Sequence, residues 1–441
     1  MAWFDSAIFY HMYPLGMVGA EARNEGGEIQ HRFEELNAFI PYLKVLGCDA
    51  IYIGPIFESG SHGYDTIDYK TVDRRLGSNE DFRKFVSMAH NYGMHVIVDT
   101  VFNHTGRGFM AFRDIQEKGW NSPYKDWYKG VNFDSSSPMG DHFSYSAWHG
   151  VPELPELNFN HEDVRRYLVD VVRYWVKEFD IDGLRLDCAD VLDLPFQKSL
   201  RYFTNEMKPE FFLLGEVIHG EYARWVNPET LHSVTNYELH KSIYSGFNSH
   251  NFFEIAHNVN RNQNIARDLY TFLENHDVDR IASKLENKKN LYPAYMCLFT
   301  LPGKPSIYYG GEFGMEGKKQ GNDDSALRPA LSEDAMEPNE LTSYIAKLAE
   351  IHGKNSELHM GQYKELYLQN RQWAYARVDA NSCVITALNN DEESAVFYVT
   401  LPLDGSMAFD LQSEEEVPIE AGRRIMISLP ANSGKMIKVK C

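Results

Sequence analysis

The sequence lacks the features that define several large classes of protein. Its 441 residues include only five cysteines, which are scattered and show neither a paired nor a metal-binding spacing. No apolar run approaches the roughly 18 residues that a membrane-spanning helix needs. The first residues have neither a basic stretch nor a small-residue cleavage site. We therefore expect a cytoplasmic protein with reduced thiols.

Basic charge is also scarce. Lys and Arg number 43 against 63 Asp and Glu, which gives a formal net charge of −20. Because an acidic surface repels nucleic acid and anionic membranes, we expect neither as a partner. The phosphate-binding pattern Gly-x-x-x-x-Gly-Lys-Ser/Thr and the zinc-binding pattern His-Glu-x-x-His are absent from the sequence, which argues against phosphoryl transfer and against zinc-dependent hydrolysis.

What the sequence does contain is a regular alternation of short apolar runs with amphipathic stretches, which is typical of βα units. Hydrophobic residues make up 43% of the chain and aromatic residues 13%, enough for a large core. The predicted strands are 7–13, 50–53, 95–98, 183–186, 211–214, 232–235, 269–273 and 306–309. Eight such units predict an α/β fold, the (β/α)8 TIM barrel.

Two segments break the alternation. Residues 105–160 separate the third strand from its helix and are rich in Gly, Ser, Pro and aromatics, so we expect an inserted subdomain over the C-terminal face of the barrel. Residues 354–441 contain short β-rich segments joined by turns, which predict an all-β sandwich. The barrel itself is then predicted to consist of 1–104 and 161–353.

Four acidic residues lie where predicted strands end. Asp99 closely follows the third strand, Asp187 ends the fourth, Glu216 ends the fifth, and Asp277 comes just after the seventh. The C-terminal ends of barrel strands meet at one face, so these carboxylates are expected to share a cavity. Clustered carboxylates suit glycoside hydrolysis, because one must be ionised to attack the anomeric carbon and another must be protonated to release the leaving oxygen.

The segments around these carboxylates resemble a known family. Four blocks, in this order, are Asp99-Thr-Val-Phe-Asn103-His104, Gly183-Leu-Arg185-Leu-Asp187, Gly215-Glu216-Val217 and Phe272-Leu-Glu-Asn275-His276-Asp277. They resemble the signature blocks of the α-amylase family, glycoside hydrolase family 13. Segments 62–65, 154–158 and 305–312 are similar to further family blocks. Within the family the blocks are most similar to the neopullulanase, cyclomaltodextrinase and maltogenic amylase group.

The resemblance implies a role for each catalytic carboxylate. Asp187 would be the nucleophile, Glu216 the general acid and base, and Asp277 the residue that stabilises the transition state. Arg185 would keep Asp187 ionised, and Asp99 would orient Arg185. The residues that the resemblance assigns to substrate binding are Tyr64, His104, Arg185, His276, Arg328, Asp324, His219 and Ile218.

On the acceptor side of the scissile bond the sequence departs from the relatives. Ile218 stands where that group usually carries Trp, and an aliphatic side chain is a weaker platform for a sugar ring than an aromatic one. Asp190 and Val191 replace both the Asn-Glu of the group and the Lys-His of typical α-amylases. We therefore expect hydrolysis to dominate over transfer.

The resemblance implies no required cofactor and leaves a structural Ca²⁺ open. Asn103 matches one oxygen ligand of the family's calcium site, whereas the position of a partner histidine is taken by Val191. The predicted function is hydrolysis of α-1,4-linked maltodextrins with retention, with cyclodextrins or pullulan as further substrates. A 4-α-glucanotransferase or isomerising enzyme of the same family, and an inactive glucan-binding protein, are the alternatives. The predicted partner is an α-glucan oligosaccharide, and the oligomeric state is left open.

Overall fold

The computed structural model describes residues 1–321, 323–331 and 337–441. Up to Tyr308 the strands are, in chain order, β1 (Phe9–Met12), β2 (Ala50–Ile53), β3 (Phe57–Ser59), β4 (Thr66–Val72), β5 (His95–Thr100), β6 (Gly183–Leu186), β7 (Phe212–Gly215), β8 (Ser233–Val234), β9 (Tyr270–Phe272) and β10 (Lys304–Tyr308). Each of the eight predicted strands overlaps one of these. The antiparallel hairpin of β3 and β4, between the second barrel strand and its helix, was not predicted.

The eight barrel strands form one parallel sheet in the order β8-β7-β6-β5-β2-β1-β10-β9. Thr235, directly after β8, pairs in parallel with Tyr270 of β9. The amide of Asn236 also donates a hydrogen bond to the carbonyl of Tyr270 at 2.8 Å. These contacts join the two outermost strands and complete the ring, which confirms the predicted barrel.

The helices surround the barrel and follow its strands. They are α1 (Pro14–Met17), α2 (Phe33–Leu46), α3 (Asn79–Asn91), α4 (Met110–Lys118), α5 (Glu162–Phe179), α6 (Leu194–Met207), α7 (Tyr237–Asn248), α8 (Phe252–Arg261), α9 (Ile281–Lys284), α10 (Leu291–Thr300), α11 (Glu340–Lys354) and α12 (Ser356–Met360). Among the described residues, no helix combines the length and apolar character needed to cross a membrane.

Strand parity explains why polar residues gather at one end of the barrel. Successive side chains of a strand point to opposite faces, so every second residue points into the barrel. The lower inward positions form a small apolar core that includes Phe9, Ala50, Ile97, Phe212 and Leu214. Further along, towards the C-terminal ends of the strands, the inward side chains are polar. They are His11 of β1, Tyr52 of β2, Asp99 of β5, Arg185 of β6 and, directly after β7, Glu216. The alternating residues between them pack outwards against the helices.

The segment 105–160 lies between β5 and α5 and is tied to the barrel at its base. The amide of Thr105 donates to the carbonyl of Pro155 at 3.1 Å, and the amide of Leu157 donates to the carbonyl of Asn103 at 3.0 Å. Gly106 extends this contact, because its amide donates to the carbonyl of Thr66 in the β3–β4 hairpin at 2.8 Å. The insertion and the hairpin are therefore joined next to the barrel mouth.

The C-terminal segment is built from antiparallel strands: β11 (Gln362–Leu368), β12 (Gln372–Val378), β13 (Ser382–Asn389), β14 (Ala395–Thr400), β15 (Met407–Asp410), β16 (Arg424–Leu429) and β17 (Ser433–Lys440). A five-stranded sheet in the order β11-β12-β13-β17-β15 faces the pair β14-β16. Side chains such as Ala374, Ile385, Phe397 and Ile427 fill the space between the two sheets. The predicted β-sandwich is confirmed, whereas the domain boundaries at 104/105, 160/161 and 353/354 stay predictions.

The opposite face of β12 packs on the barrel. Trp373 is fully buried, and its ring centroid lies 5.8 Å from that of Phe252 in α8. The hydroxyl of Tyr375 lies 2.6 Å from the hydroxyl of Thr300 at the end of α10. One strand thus contributes alternate side chains to the sandwich core and to the contact with the barrel.

We expect Trp373→Ala to destabilise the whole chain, because it removes a large buried side chain from the contact between sandwich and barrel. The expected loss in free energy of unfolding is about 3–5 kcal/mol. Urea denaturation followed by circular dichroism measures it. Tyr398→Ala is the matched control, since Tyr398 is 39% exposed on the outer face of β14. Equal losses in the two variants would contradict the packing role.

Candidate active site

A single arginine organises the centre of the barrel mouth. Arg185, at an inward position of β6, is almost completely buried. One terminal nitrogen, Nη1, donates to Oδ1 of Asp99 at 2.9 Å and to Oδ1 of Asp187 at 2.7 Å. The other, Nη2, lies 3.0 Å from Oε1 of Glu216. Three of the four predicted carboxylates therefore share one guanidinium, and Asp99 contacts Arg185 as predicted.

The two carboxylates predicted to perform the chemistry face each other across a short gap. One oxygen of Asp187 and one of Glu216 lie within 4.8 Å of each other. Burial raises the pKa of Asp187 to about 8, while Arg185 acts in the opposite direction and the charges of Glu216 and Asp99 add to the rise. The like charges of Glu216 and Asp99 disfavour the ionised form of Asp187, in the same direction as its burial.

Asp277 has the opposite electrostatic setting. Oδ2 of Asp277 lies 3.0 Å from Nε2 of His276, and Oδ1 accepts from Nη2 of Arg328 at 3.0 Å. The same Nη2 lies 2.7 Å from Oδ2 of Asp324. Burial alone would raise the pKa of Asp277, but His276 and Arg328 hold that pKa well below its usual range. Asp277 is therefore ionised throughout the neutral range.

Tyr64 lies in the loop between β3 and β4, where it connects the two halves of the site. The Tyr64 hydroxyl donates to Oδ2 of Asp99 at 2.9 Å and lies 2.5 Å from Nε2 of His276. The rings of Tyr64 and His276 are nearly parallel, with centroids 5.4 Å apart. Aromatic rings of this kind offer a flat apolar surface to a sugar ring.

His104 is held beneath the same loop. Its Nε2 donates to the carbonyl of Tyr64 at 3.2 Å, and its ring centroid lies 5.6 Å from that of Trp148 in the insertion. Burial lowers the pKa of His104 to about 4, so the imidazole is uncharged at neutral pH. The structure thus brings Tyr64, His104 and His276 together around the carboxylates.

The remaining predicted residues lie at the rim. Ile218 and Val191 are 41% and 52% exposed, large values for aliphatic side chains. His219 is exposed. The carboxyl group of Asp190 lies near His219 and near His149 of the insertion. These residues surround the opening rather than contacting Asp187.

Several side chains of the site were missed by the sequence analysis. Tyr52 donates to Oδ2 of Asp99 at 2.7 Å, and Tyr237 donates to Oε1 of Glu216 at 3.4 Å. His11 stacks on Tyr52 with centroids 4.0 Å apart. A usable signal existed for His11 and Tyr52, since counting every second residue along their strands places both on the inward face. Tyr237 begins a helix and carried no such signal.

Residues 35–360 match the family description "Alpha amylase, catalytic domain". A cyclomaltodextrinase from Thermoanaerobacter pseudethanolicus is 32% identical over 428 residues, which cover 90% of this chain and 72% of that protein. Neopullulanase 2 from Thermoactinomyces vulgaris is 29% identical over 452 residues, 96% of this chain and 76% of that protein. The structure of a debranching enzyme from Nostoc punctiforme superposes with a TM-score of 0.85 at 27% identity, covering 100% of this chain and 99% of that one.

The chain belongs to the α-amylase family. It is therefore a glycoside hydrolase of family 13, and the resemblance stated from the sequence blocks is confirmed. Family 13 enzymes need no organic cofactor.

The surroundings of Asn103 test whether this α-amylase family member carries the family's calcium ion. Asn103 is buried, and its side-chain nitrogen lies 3.3 Å from Nδ1 of His104. Among the residues that the structure describes, the one close group of three His, Cys, Asp or Glu side chains is Asp187, Cys188 and Glu216. Ca²⁺ prefers six to eight oxygen ligands. Within the described part of the chain, no group of three acidic or histidine side chains lies at Asn103 to supply such a set, and no chemical step is assigned to calcium.

The raised pKa of Asp187 has a consequence for the pH dependence. As the predicted nucleophile, Asp187 must be ionised to act, so we expect activity to fall as the pH drops through its pKa in the folded enzyme. Because burial places that pKa above the ordinary aspartate value, we expect the acidic limb of kcat/KM to lie clearly above about pH 4. Initial rates on a maltodextrin between about pH 4 and pH 10 measure it. A limb at or below the ordinary aspartate pKa would contradict the assignment.

Proposed function

We propose that the protein hydrolyses α-1,4-glucosidic bonds of maltodextrins by double displacement with retention. The observation that carries the proposal is the close approach of the two carboxylates, since one oxygen of Asp187 lies within 4.8 Å of one oxygen of Glu216. Retaining glycosidases hold their carboxyl groups about 5–5.5 Å apart, whereas inverting enzymes need about 6.5–9.5 Å to admit a water molecule between them. The close approach of Asp187 and Glu216 supports the retaining arrangement.

In the first step Asp187 attacks the anomeric carbon and forms a glycosyl ester. The bond between that carbon and the glycosidic oxygen breaks, and Glu216 gives its proton to the departing oxygen. Arg185 contacts both carboxylates, so it stabilises the ionised Asp187 before the attack and the ionised Glu216 after the proton has left. The guanidinium therefore compensates the negative charge as it moves from one carboxylate to the other.

In the second step Glu216 acts as a base. It removes a proton from a water molecule, the water oxygen attacks the anomeric carbon, and the ester bond to Asp187 breaks. Two successive inversions return the sugar with its original α configuration. The protonated Glu216 and ionised Asp187 are restored, so the cycle closes without any external acid or base.

The surrounding residues would bind the sugar whose bond is cut. Asp277 stays ionised beside His276 and Arg328, so it can accept hydrogen bonds from hydroxyls that become more acidic as positive charge develops on the ring. Tyr64 offers its face to the same sugar, and the uncharged His104 supports this residue, because its one N–H donates to the carbonyl of Tyr64. Asp324 extends this polar group through Arg328.

Specificity beyond α-1,4 cleavage is part of the proposal. The relatives named as a cyclomaltodextrinase and a neopullulanase support cyclodextrins and pullulan as further substrates. A 4-α-glucanotransferase or isomerising enzyme of the same family is the second candidate. A transferase passes the glycosyl group to another sugar, whereas a hydrolase passes it to water. Only net hydrolysis therefore raises the number of reducing ends in proportion to the bonds cut. Chromatography of maltoheptaose digests, combined with a reducing-end assay, separates the two.

We also propose that the enzyme is cytoplasmic. Cys48, Cys188, Cys297 and Cys383 are buried as free thiols, and Cys441 is exposed. Exposed and free thiols persist in a reducing compartment, where disulfides are rare. An inactive glucan-binding protein, the remaining alternative, is disfavoured because the carboxylates, Arg185 and the Asp277 group lie together at the C-terminal end of the barrel.

Azide rescue tests the two catalytic roles with matched variants. Glu216→Ala should lower kcat on maltotriose by about 10²–10⁴. With α-maltosyl fluoride, which needs no acid, added azide should restore turnover and give maltosyl azide of retained α configuration. Asp187→Ala should lack the ester step, so azide should attack directly and give the inverted β product. Proton NMR of the first-formed azides measures the configuration.

Each variant is the control for the other. Exchanged stereochemistry between the two variants would mean that the roles of Asp187 and Glu216 are reversed. A β product from the wild-type hydrolysis, seen in the first minutes before mutarotation, would contradict retention altogether.

A further prediction concerns Ile218, on the acceptor side of the scissile bond. Ile218 is 41% exposed two residues after Glu216, where an aromatic ring would bind an incoming sugar more strongly. We expect the wild-type enzyme to produce mainly hydrolysis products at high maltose, and Ile218→Trp to raise the share of longer transfer products several-fold. Ile218→Leu keeps an aliphatic side chain of equal size and should behave as wild type. Predominant transfer by the wild-type enzyme would contradict this reading.

A further inference from the structure

Cys188 directly follows Asp187 and contacts both proposed catalytic carboxylates. Its Sγ lies 3.1 Å from Oδ2 of Asp187, and its backbone amide donates to Oε2 of Glu216 at 3.0 Å. Both contacts are buried. A single residue therefore joins the two groups through one side-chain contact and one main-chain contact.

The two oxygens of Asp187 have different partners. Oδ1 accepts from Nη1 of Arg185 at 2.7 Å, so its lone pairs are drawn towards a full positive charge. Oδ2 faces the thiol of Cys188 and is not held by Arg185. Of the two, Oδ2 is the oxygen better able to attack a carbon, because a charge-assisted hydrogen bond is much stronger than one from a thiol.

We propose that Cys188 is a positioning residue for the reaction: its thiol aims Oδ2 of Asp187 at the anomeric carbon, and its amide fixes Oε2 of Glu216. This inference rests on the proposed function and adds a residue to it.

The protonation state of the thiol suits this role. Burial raises the pKa of the Cys188 thiol, and the charges of Asp187 and Glu216 raise it further. The sulfur therefore keeps its proton and acts as a donor to Oδ2. A thiol is a weak donor, so it orients the attacking oxygen while leaving it more nucleophilic than a hydroxyl or an amide partner would.

The backbone at Cys188 has an unusual conformation, which serves the contact between its amide and Glu216. Its φ is +49°, in the left-handed region that non-glycine residues rarely adopt. The carbonyl of Cys188 accepts from the amides of Val191 and Leu192, each at 3.1 Å, so a turn after β6 holds this conformation. Strained backbone of this kind is typical of functional sites, where the surrounding structure compensates for it.

Three variants separate the two contacts. Cys188→Gly removes the thiol but keeps the amide, and glycine accepts the positive φ without strain. Cys188→Ser keeps a side-chain donor at the same position. Cys441→Ser removes the exposed terminal cysteine and serves as the control for cysteine replacement. Circular dichroism and thermal unfolding establish that all three fold.

The kinetic readouts are kcat and KM on maltoheptaose and on α-maltosyl fluoride, with the pH profile of kcat/KM. We expect Cys188→Gly to lower kcat about ten-fold on both substrates, because the thiol acts on the nucleophile and not on acid release. KM should change little. Cys188→Ser should recover most of the loss, and Cys441→Ser should match wild type.

The pH profile distinguishes positioning from a merely structural role. A hydrogen bond donated to Oδ2 favours the ionised Asp187, so its loss should move the acidic limb to higher pH in Cys188→Gly. Arg185 on β6, Asp99 on β5, Glu216 directly after β7 and Tyr69 on β4 also face Asp187, and they are unchanged in that variant. The limb should return in Cys188→Ser.

Each outcome bears on one proposal. If Cys188→Gly keeps the kcat and acidic limb of Cys441→Ser while Asp187→Ala is inactive, the inference about Cys188 is overturned and the proposed function stands. If Asp187→Ala retains wild-type activity, the proposed function itself fails. Loss of kcat with a shifted limb in Cys188→Gly, reversed by serine, supports the inference.

Discussion

The site depends on one buried positive charge. A guanidinium removed from water is costly unless carboxylates and hydrogen bonds surround it. Arg185 meets that condition with three carboxylates from three neighbouring strands. Removing Arg185 would leave the buried carboxylates without their counter-charge, and its contacts link β5, β6 and β7 at the point where the proposed nucleophile and acid meet. The same contacts of Arg185 therefore serve both the folding of the barrel mouth and the assembly of the proposed catalytic pair.

Much of this arrangement could be predicted from the sequence, because it follows from strand parity and loop position. The parallel barrel places every strand's C-terminal end at one face, and residues two apart on a strand share a side. These two rules suffice to bring Asp99, Arg185, Asp187 and Glu216 together. The sandwich could be predicted for a similar reason, since its strands are short and alternate cleanly around turns.

What could not be predicted depends on long-range packing. The β3–β4 hairpin has few apolar residues, and its pairing is irregular, so no periodicity marks it. Tyr237 reaches Glu216 from the first turn of a helix, a contact that exists only once the barrel has closed. The presence of a cysteine at position 188 did not indicate a role in the site. The proposed role depends on a left-handed backbone conformation, which is set by the turn that follows.

The close approach of Gly106 to the hairpin also constrains how the enzyme's lineage can vary. A Cβ on Gly106 would lie 2.3 Å from the carbonyl oxygen of Asp65, closer than any real side chain tolerates. Tyr64 immediately precedes that carbonyl, so even an alanine would push the aromatic face out of place. Mutations in the insertion and in the hairpin are thus not independent of each other. Side chains at the exposed rim, such as Val191 and Ile218, can be exchanged with less disturbance of the backbone than Gly106.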